Sequence, residues 1–191
     1  MIVRPRIFLP LIFTAFFAAS CATTRQSGAQ GVRPVYITNS KKIALLPPSD
    51  CAVAVDGAQR LTGTFGGTTF ALLSYTQIDK DGISLILMND FGTDMGTLSY
   101  DAAGVTFSSA FFPKNLPGEY IIADIQNAFY DAAALQSAYS ASKLIFETQT
   151  EDNGEHRTIR DGTKPIEEIF ITADGVTIKN YLRGYEYSLE F

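Results

Sequence analysis

The side chains able to do chemistry in this sequence are few and scattered. His156 is the single histidine and stands just past Asn153-Gly154, between Glu155 and Arg157, a setting that describes an exposed hairpin residue rather than a general base. Glu167 and Glu168 are adjacent carboxylates, but neighbours on a strand point to opposite faces and cannot work together as an acid and a base. Cys21 and Cys51 are the only cysteines, too few beside one histidine for a multi-ligand zinc site. Gly63, Gly66 and Gly67 lie among strand-forming residues, where glycine marks a bend rather than a nucleotide site. No Gly-x-Ser-x-Gly elbow, His-Glu-x-x-His pair or phosphate loop occurs. The expectation is a protein that is not an enzyme and holds neither metal nor non-covalent cofactor. An enzyme built on His156, a carboxylate and a nucleophile is the third reading behind two non-catalytic ones.

What the sequence offers instead is apolar surface. Phe111, Phe112 and Leu116 lead into a segment where Ile121, Ile125, Ala128, Ala132, Leu135 and Tyr139 recur at intervals of three and four. This predicts one amphipathic helix over 119–139, with Asp124 and Asp131 on other faces and Glu119 suited to the positive end of its dipole. Phe111, Phe112, Leu116, Ile121, Ile122, Ile125 and Phe129 are then candidates to line an apolar cavity beneath the helix; ordinary core packing is the alternative. Phe91, inside the turn Asn89-Asp90-Phe91-Gly92, is the candidate exposed tip that touches membrane or cargo.

The elements positioning these residues alternate with a period of two. Strands are expected over 69–78, 83–88, 97–100 and 105–108, and again over 144–147, 166–171, 176–179 and 185–191, separated by Asp81-Gly82, Asp101 to Gly104, Asn153-Gly154, Asp161-Gly162 and Asp174-Gly175. Residues 35–60 are expected to form an extended lead-in, with one short helix or strand over 52–58. About ten strands with a helix between the two sets, and no βαβ alternation, point to a mainly β, α+β domain. The economical form is a strongly curved antiparallel sheet or incomplete barrel with the helix across one side. With 191 residues, 46% hydrophobic, there is material for one real core. The net charge of −5 and the lack of a Lys/Arg cluster argue against nucleic acid.

At the N-terminus, Arg4 and Arg6 precede the apolar residues 7–19, a run too short to span a bilayer and followed by Ala18-Ala19-Ser20-Cys21. This resembles a bacterial lipobox, with Ala18 where the pattern usually has a branched residue. The resemblance implies a signal peptide over 1–20, cleavage before Cys21, diacylglyceryl and N-acyl modification of that cysteine, and a flexible tether over 21–34 ahead of a single domain over 35–191. With Ala22 rather than Asp next, it implies anchorage at the periplasmic face of the outer membrane. An ordinary secretory cleavage, with Cys21 incidental, is the alternative. Removal of the signal leaves 171 residues and a net charge of −7, since Arg4 and Arg6 are its only charges. Cys51 then has no intrachain partner and reads as a small apolar residue, the alternative being a reactive or intermolecular thiol.

The order of elements resembles LolB and the related carrier LolA. Leu116-Pro-Gly-Glu-Tyr-Ile-Ile-Ala-Asp-Ile-Gln126 and Ala132-Ala-Ala-Leu-Gln136 are similar to the signature of an uncharacterised LolB-like lipoprotein family often encoded with aryl-polyene biosynthesis genes. The 157–162 hairpin, the 166–171 strand and Gly184-Tyr-Glu-Tyr187 fit its second half. The resemblance implies an apolar face lidded by helix and able to hold acyl chains, with Phe91 at a loop comparable to the one that assists membrane insertion in LolB. Within it, Asp124 and Gln126 either position the helix against neighbouring strands or touch cargo. Two functional expectations follow. One is a lipid-anchored protein that binds or transfers a lipoprotein or aryl-polyene-type lipid, receiving it from or passing it to a periplasmic carrier; the other is a structural or assembly lipoprotein that docks a protein partner.

Overall fold

The computed structural model describes residues 32–109, 111–112 and 116–191. Cys21, the expected signal peptide and most of the expected tether lie outside the described residues. The lead-in forms a small hairpin, β1 (Val35–Tyr36) with β2 (Lys42–Ile43), and then a single 3-10 turn at Pro48–Asp50. It is shorter than the sequence suggested, because β3 (Val55–Phe65) already begins at Val55 and pairs along its whole length with β4 (Thr68–Ile78).

Two antiparallel meanders follow. β3 and β4 continue into β5 (Ile83–Met88), β6 (Asp94–Asp101) and β7 (Gly104–Ser109); β8 (Ile145–Glu151), β9 (Gly154–Asp161), β10 (Lys164–Thr172), β11 (Gly175–Asn180) and β12 (Tyr185–Glu190) form the second. The expected turn pairs sit between these strands, as small polar residues and glycines allow. The meanders join where β12 pairs with β3, giving one ten-stranded sheet in the order β7-β6-β5-β4-β3-β12-β11-β10-β9-β8. The fold is mainly β and antiparallel, as expected, and the sheet is not closed: β7 and β8 are its two edges and do not pair.

That order dictates where the helices go. The chain leaves the sheet at one edge, β7, and re-enters at the other, β8, so the intervening segment must cross the sheet. It does so as α1 (Gly118–Phe129) and α2 (Ala132–Ala141), two helices rather than the single one over 119–139 that the apolar spacing predicted. The break has a local cause. Asp131 caps α2 by accepting from the Ala134 N–H at 2.9 Å, while Tyr130 is extended and bridges to Cys51. The Ala52 and Val53 N–H groups donate to the Phe129 carbonyl, and Asp131 N–H donates to the Asp50 carbonyl. The lead-in thus takes up the backbone groups that a continuous helix would have paired internally.

α1 is buried on nearly every side, between the sheet and the lead-in. Gln126 fixes the second contact: its amide accepts from Leu46 N–H at 3.0 Å and donates to the Leu46 carbonyl at 2.7 Å. At the helix start, Glu119 pairs with Arg33 at 3.1 Å. Gly118 lies so close to β6 and β7 that a Cβ there would meet Phe107 Cβ at 2.8 Å and Leu98 Cδ1 at 3.0 Å.

Candidate functional site

Between α1 and the first half of the sheet lies a pocket of about 550 Å³, within the range of small-molecule sites. Its helix side carries Leu116, Tyr120, Ile121, Asp124 and Ile125, and its sheet side is mostly Leu61, Phe70, Leu85, Leu87, Phe107 and Leu189. Alternation explains the sheet side. In register across β4, β5, β6 and β7, Thr76, Leu85, Leu98 and Phe107 stand in one row facing the helices. Gly63 pairs with Phe70 and Tyr187 on the same face: a Cβ there would lie 2.8 Å from the Phe70 ring and 2.7 Å from Tyr187 Cβ, so only glycine lets that ring lie across β3. Phe112 closes one end of the pocket, packing edge-on against Phe70 at 6.3 Å and tilted against Phe107 at 6.1 Å.

One wall is polar. Tyr185 on β12, Asn180 on β11 and Glu167 on β10 are direct cross-strand partners, so their side chains line up on one face. Asp124 comes down on this row from α1. Its Oδ2 accepts from the Tyr185 hydroxyl at 2.7 Å and the Tyr187 hydroxyl at 3.3 Å. Glu167 accepts from Asn127 and Asn180, each at 2.8 Å, and Tyr139 donates to Asn127 at 2.8 Å. Asp124 and Glu167 are only 8% and 4% exposed.

Burial pushes the Asp124 carboxyl well above the usual carboxylate range and the charge of Glu167 pushes it the same way; the Tyr185 hydrogen bond, the Arg183 charge and the Tyr187 hydrogen bond only partly oppose this. Glu167 is also raised by burial, against the pull of its two asparagine donors, Arg183 and a hydrogen bond with Asp124. Both carboxyls are therefore pushed toward the protonated form, and they titrate as a coupled pair. The Tyr185 and Tyr187 phenols are driven up by burial and by these carboxylates and remain donors. Thr76 also lines the pocket, and its buried Oγ1 finds no hydrogen-bond partner among the described residues.

The structure sorts the sequence candidates. Phe112, Leu116, Ile121 and Ile125 line the pocket. Ile122 and Phe129 do not; they are core residues, and the Phe129 ring packs near Phe191. Phe111 is half exposed and stacks edge-on behind Phe70 and Phe112 rather than lining the cavity. Phe91 stands at the β5–β6 turn, 93% exposed. Asp124 is tied to strand β12 and Gln126 to the lead-in, so both position the helix, and Asp124 borders the cavity as well. His156 is not the exposed hairpin residue expected: its ring stacks on Phe170 at 4.3 Å, with Glu151 at 3.5 Å. Cys51 is buried, its thiol raised by that burial. Glu168 turns outward to Tyr181, opposite Glu167.

Sequence reasoning missed the polar wall. Glu167 was compared only with its neighbour Glu168, whereas its true partner comes from a helix 43 positions earlier. Tyr185 and Tyr187 figured only within Gly184-Tyr-Glu-Tyr187, with no role for their hydroxyls. Among the described residues no group of His, Cys, Asp and Glu is arranged to hold a metal ion, and no helix is long and apolar enough to cross a membrane.

In comparison with known families, residues 56–190 match a model described as a protein of unknown function, DUF3261. No curated protein matches the chain.

Proposed function

The chain belongs to the DUF3261 family, and we propose that it works there as a binding protein, holding a lipid or similar elongated apolar molecule between α1 and the sheet. The observation that carries this reading is the pocket itself: about 550 Å³, walled mainly by aliphatic and aromatic side chains, with polar groups gathered on one wall. Each methylene buried there contributes about 0.8 kcal/mol, enough for capture without any covalent chemistry. No bond is made or broken in this reading. Its wider frame is the LolB-like one, with Cys21 as lipid anchor at the periplasmic face of the outer membrane. A lipoprotein or an aryl-polyene-type lipid is the cargo, exchanged with a periplasmic carrier.

The test uses N-phenyl-1-naphthylamine, an uncharged dye that brightens in apolar pockets, with the full chain carrying Cys21→Ala to remove the anchor. Saturable brightening is expected, and it should be lost in Ile121→Trp, whose larger ring fills the cavity. A native chain that leaves the dye dark, or an Ile121→Trp variant that binds it equally, overturns the pocket as the binding site.

One observation favours a second reading, docking to a protein partner. Tyr75 and Ile86 pair across β4 and β5 on the face away from the helices, and with Leu73 they are about 40% exposed. If that strip is the working surface, the dye result is negative and substitution of Ile86 by Glu abolishes partner capture by crosslinking.

A further inference from the structure

Resting on the binding reading above, we infer that the pocket takes an amphiphile of the fatty-carboxylate class, its chain between α1 and the sheet and its ionised head received by Arg183 at the pocket mouth. The turn between β11 and β12 sets this residue. Asn180 Oδ1 accepts from the Arg183 backbone N–H at 2.9 Å, and Gly184 closes the turn at a φ of +67° that few other residues adopt. Arg183 and Tyr120 line both the apolar pocket and an adjoining recess walled by Tyr36, Thr38, Asn39 and Leu182. Tyr36, Asn39, Leu182 and Arg183 are exposed. The cation thus stands where the greasy cavity meets water, as the head of an amphiphile must.

The guanidinium is held in place but not neutralised. It stacks 4.6 Å from the centre of the Tyr120 ring and donates to the Tyr36 carbonyl, which leaves most of its five N–H groups for another acceptor. Among the described residues no carboxylate ion-pairs with it. Of the two acids that also line the pocket, Asp124 turns its Oδ2 to the Tyr185 and Tyr187 hydroxyls and Glu186 pairs with Lys179 at 3.5 Å. Burial raises the Asp124 and Glu167 carboxyls, and the Arg183 charge is among the influences opposing that rise, so the cation faces the cavity as well as solvent. A planar fork of N–H donors suits a carboxylate. A phosphate monoester, at a charge of about −1.5 to −2, asks for a second cation, and among the described residues no other lines either recess.

The experiment is displacement of N-phenyl-1-naphthylamine from the full chain carrying Cys21→Ala, by decanoate and by its uncharged ester methyl decanoate, at about pH 7, where the free acid is ionised. Both probes are expected to displace the dye. Arg183→Gln should raise the decanoate concentration needed roughly tenfold and leave that of methyl decanoate unchanged; Arg183→Met should do the same and serves if Arg183→Gln does not fold. Decanoate affinity unchanged in a folded variant overturns the inference, and so does equal weakening of the two probes, which would mark Arg183 as a support of the pocket wall. A native chain that yields the dye to methyl decanoate but not to decanoate overturns it too and leaves the binding reading intact. Failure of the dye to bind at all overturns the binding reading and this inference with it.

Discussion

Asp124 and Glu167 meet because strand register sets Glu167 beside Asn180 and Tyr185, and a helix arriving from the far edge of the sheet lowers Asp124 onto that row. Neither step is written locally. Asp124 falls off the apolar stripe of α1, which in an amphipathic helix normally means solvent; here the lead-in covers the back of the helix and no face of it is wet. Cys51 was legible, since a lone small apolar side chain in an apolar setting behaves as one. Its buried thiol, raised in pKa and close to the Val53 carbonyl at 3.3 Å, is poorly reactive. The carboxyl pair has a consequence for stability. A carboxyl whose folded value is raised binds more protons folded than unfolded, so its contribution is fully present below the ordinary Asp value and is lost as pH rises toward the raised one. Denaturant unfolding should therefore show the native chain losing stability relative to Asp124→Asn as pH rises above about 4, the ordinary Asp value. Parallel curves for the two proteins would contradict the buried, proton-holding state of Asp124.

At the scale of elements, the strands and turns were the most legible part, because Asp-Gly and Asn-Gly pairs punctuate alternating segments and the chemistry of such turns is local. The helix break was readable in principle. Asp131 directly before Ala132-Ala-Ala-Leu135 is an N-cap signal, but apolar spacing that runs through the break concealed it, and the bridge from Cys51 that stabilises the extended Tyr130 is a long-range contact. The seating of α1 depends on Gly118, which has no room for a side chain against Phe107, Leu98 and Val105. Gly118→Ala should force the helix start away from β6 and β7, costing about 1–3 kcal/mol as overpacking does and loosening the pocket wall that Leu116 and Ile121 form. Thermal unfolding together with dye affinity checks this. A variant as stable as the native chain, with unaltered dye binding, would mean the helix is not held by that contact.

Over the whole molecule, two five-stranded meanders share the β3–β12 seam, and the helices span from one open edge to the other. The sequence made the mainly β class and the central helical insertion legible. It could not show that β12 returns to β3, since strand order across a seam is a non-local choice. The edges stay unpaired, in keeping with the unclosed antiparallel sheet that was expected. The layout also places Phe91 far from the chain entry. Val32 lies near Gly104, at the β6–β7 turn, whereas Phe91 sits at the other end of β6, whose eight residues extend about 27 Å. On the proposal that Cys21 carries the lipid anchor, the eleven residues from there to Val32 reach at most about 40 Å, enough to let either end meet a membrane. Phe91→Glu should leave folding unchanged, because the side chain touches little, while slowing lipid transfer between liposomes; an unaltered transfer rate removes that turn from the mechanism. The most direct measurement is native mass spectrometry of the chain purified from the cells that make it, from the membrane fraction if it is anchored as proposed. A noncovalent adduct with the mass of a lipid, absent from Ile121→Trp, is the expected result. A native chain without any noncovalent adduct would contradict the binding function.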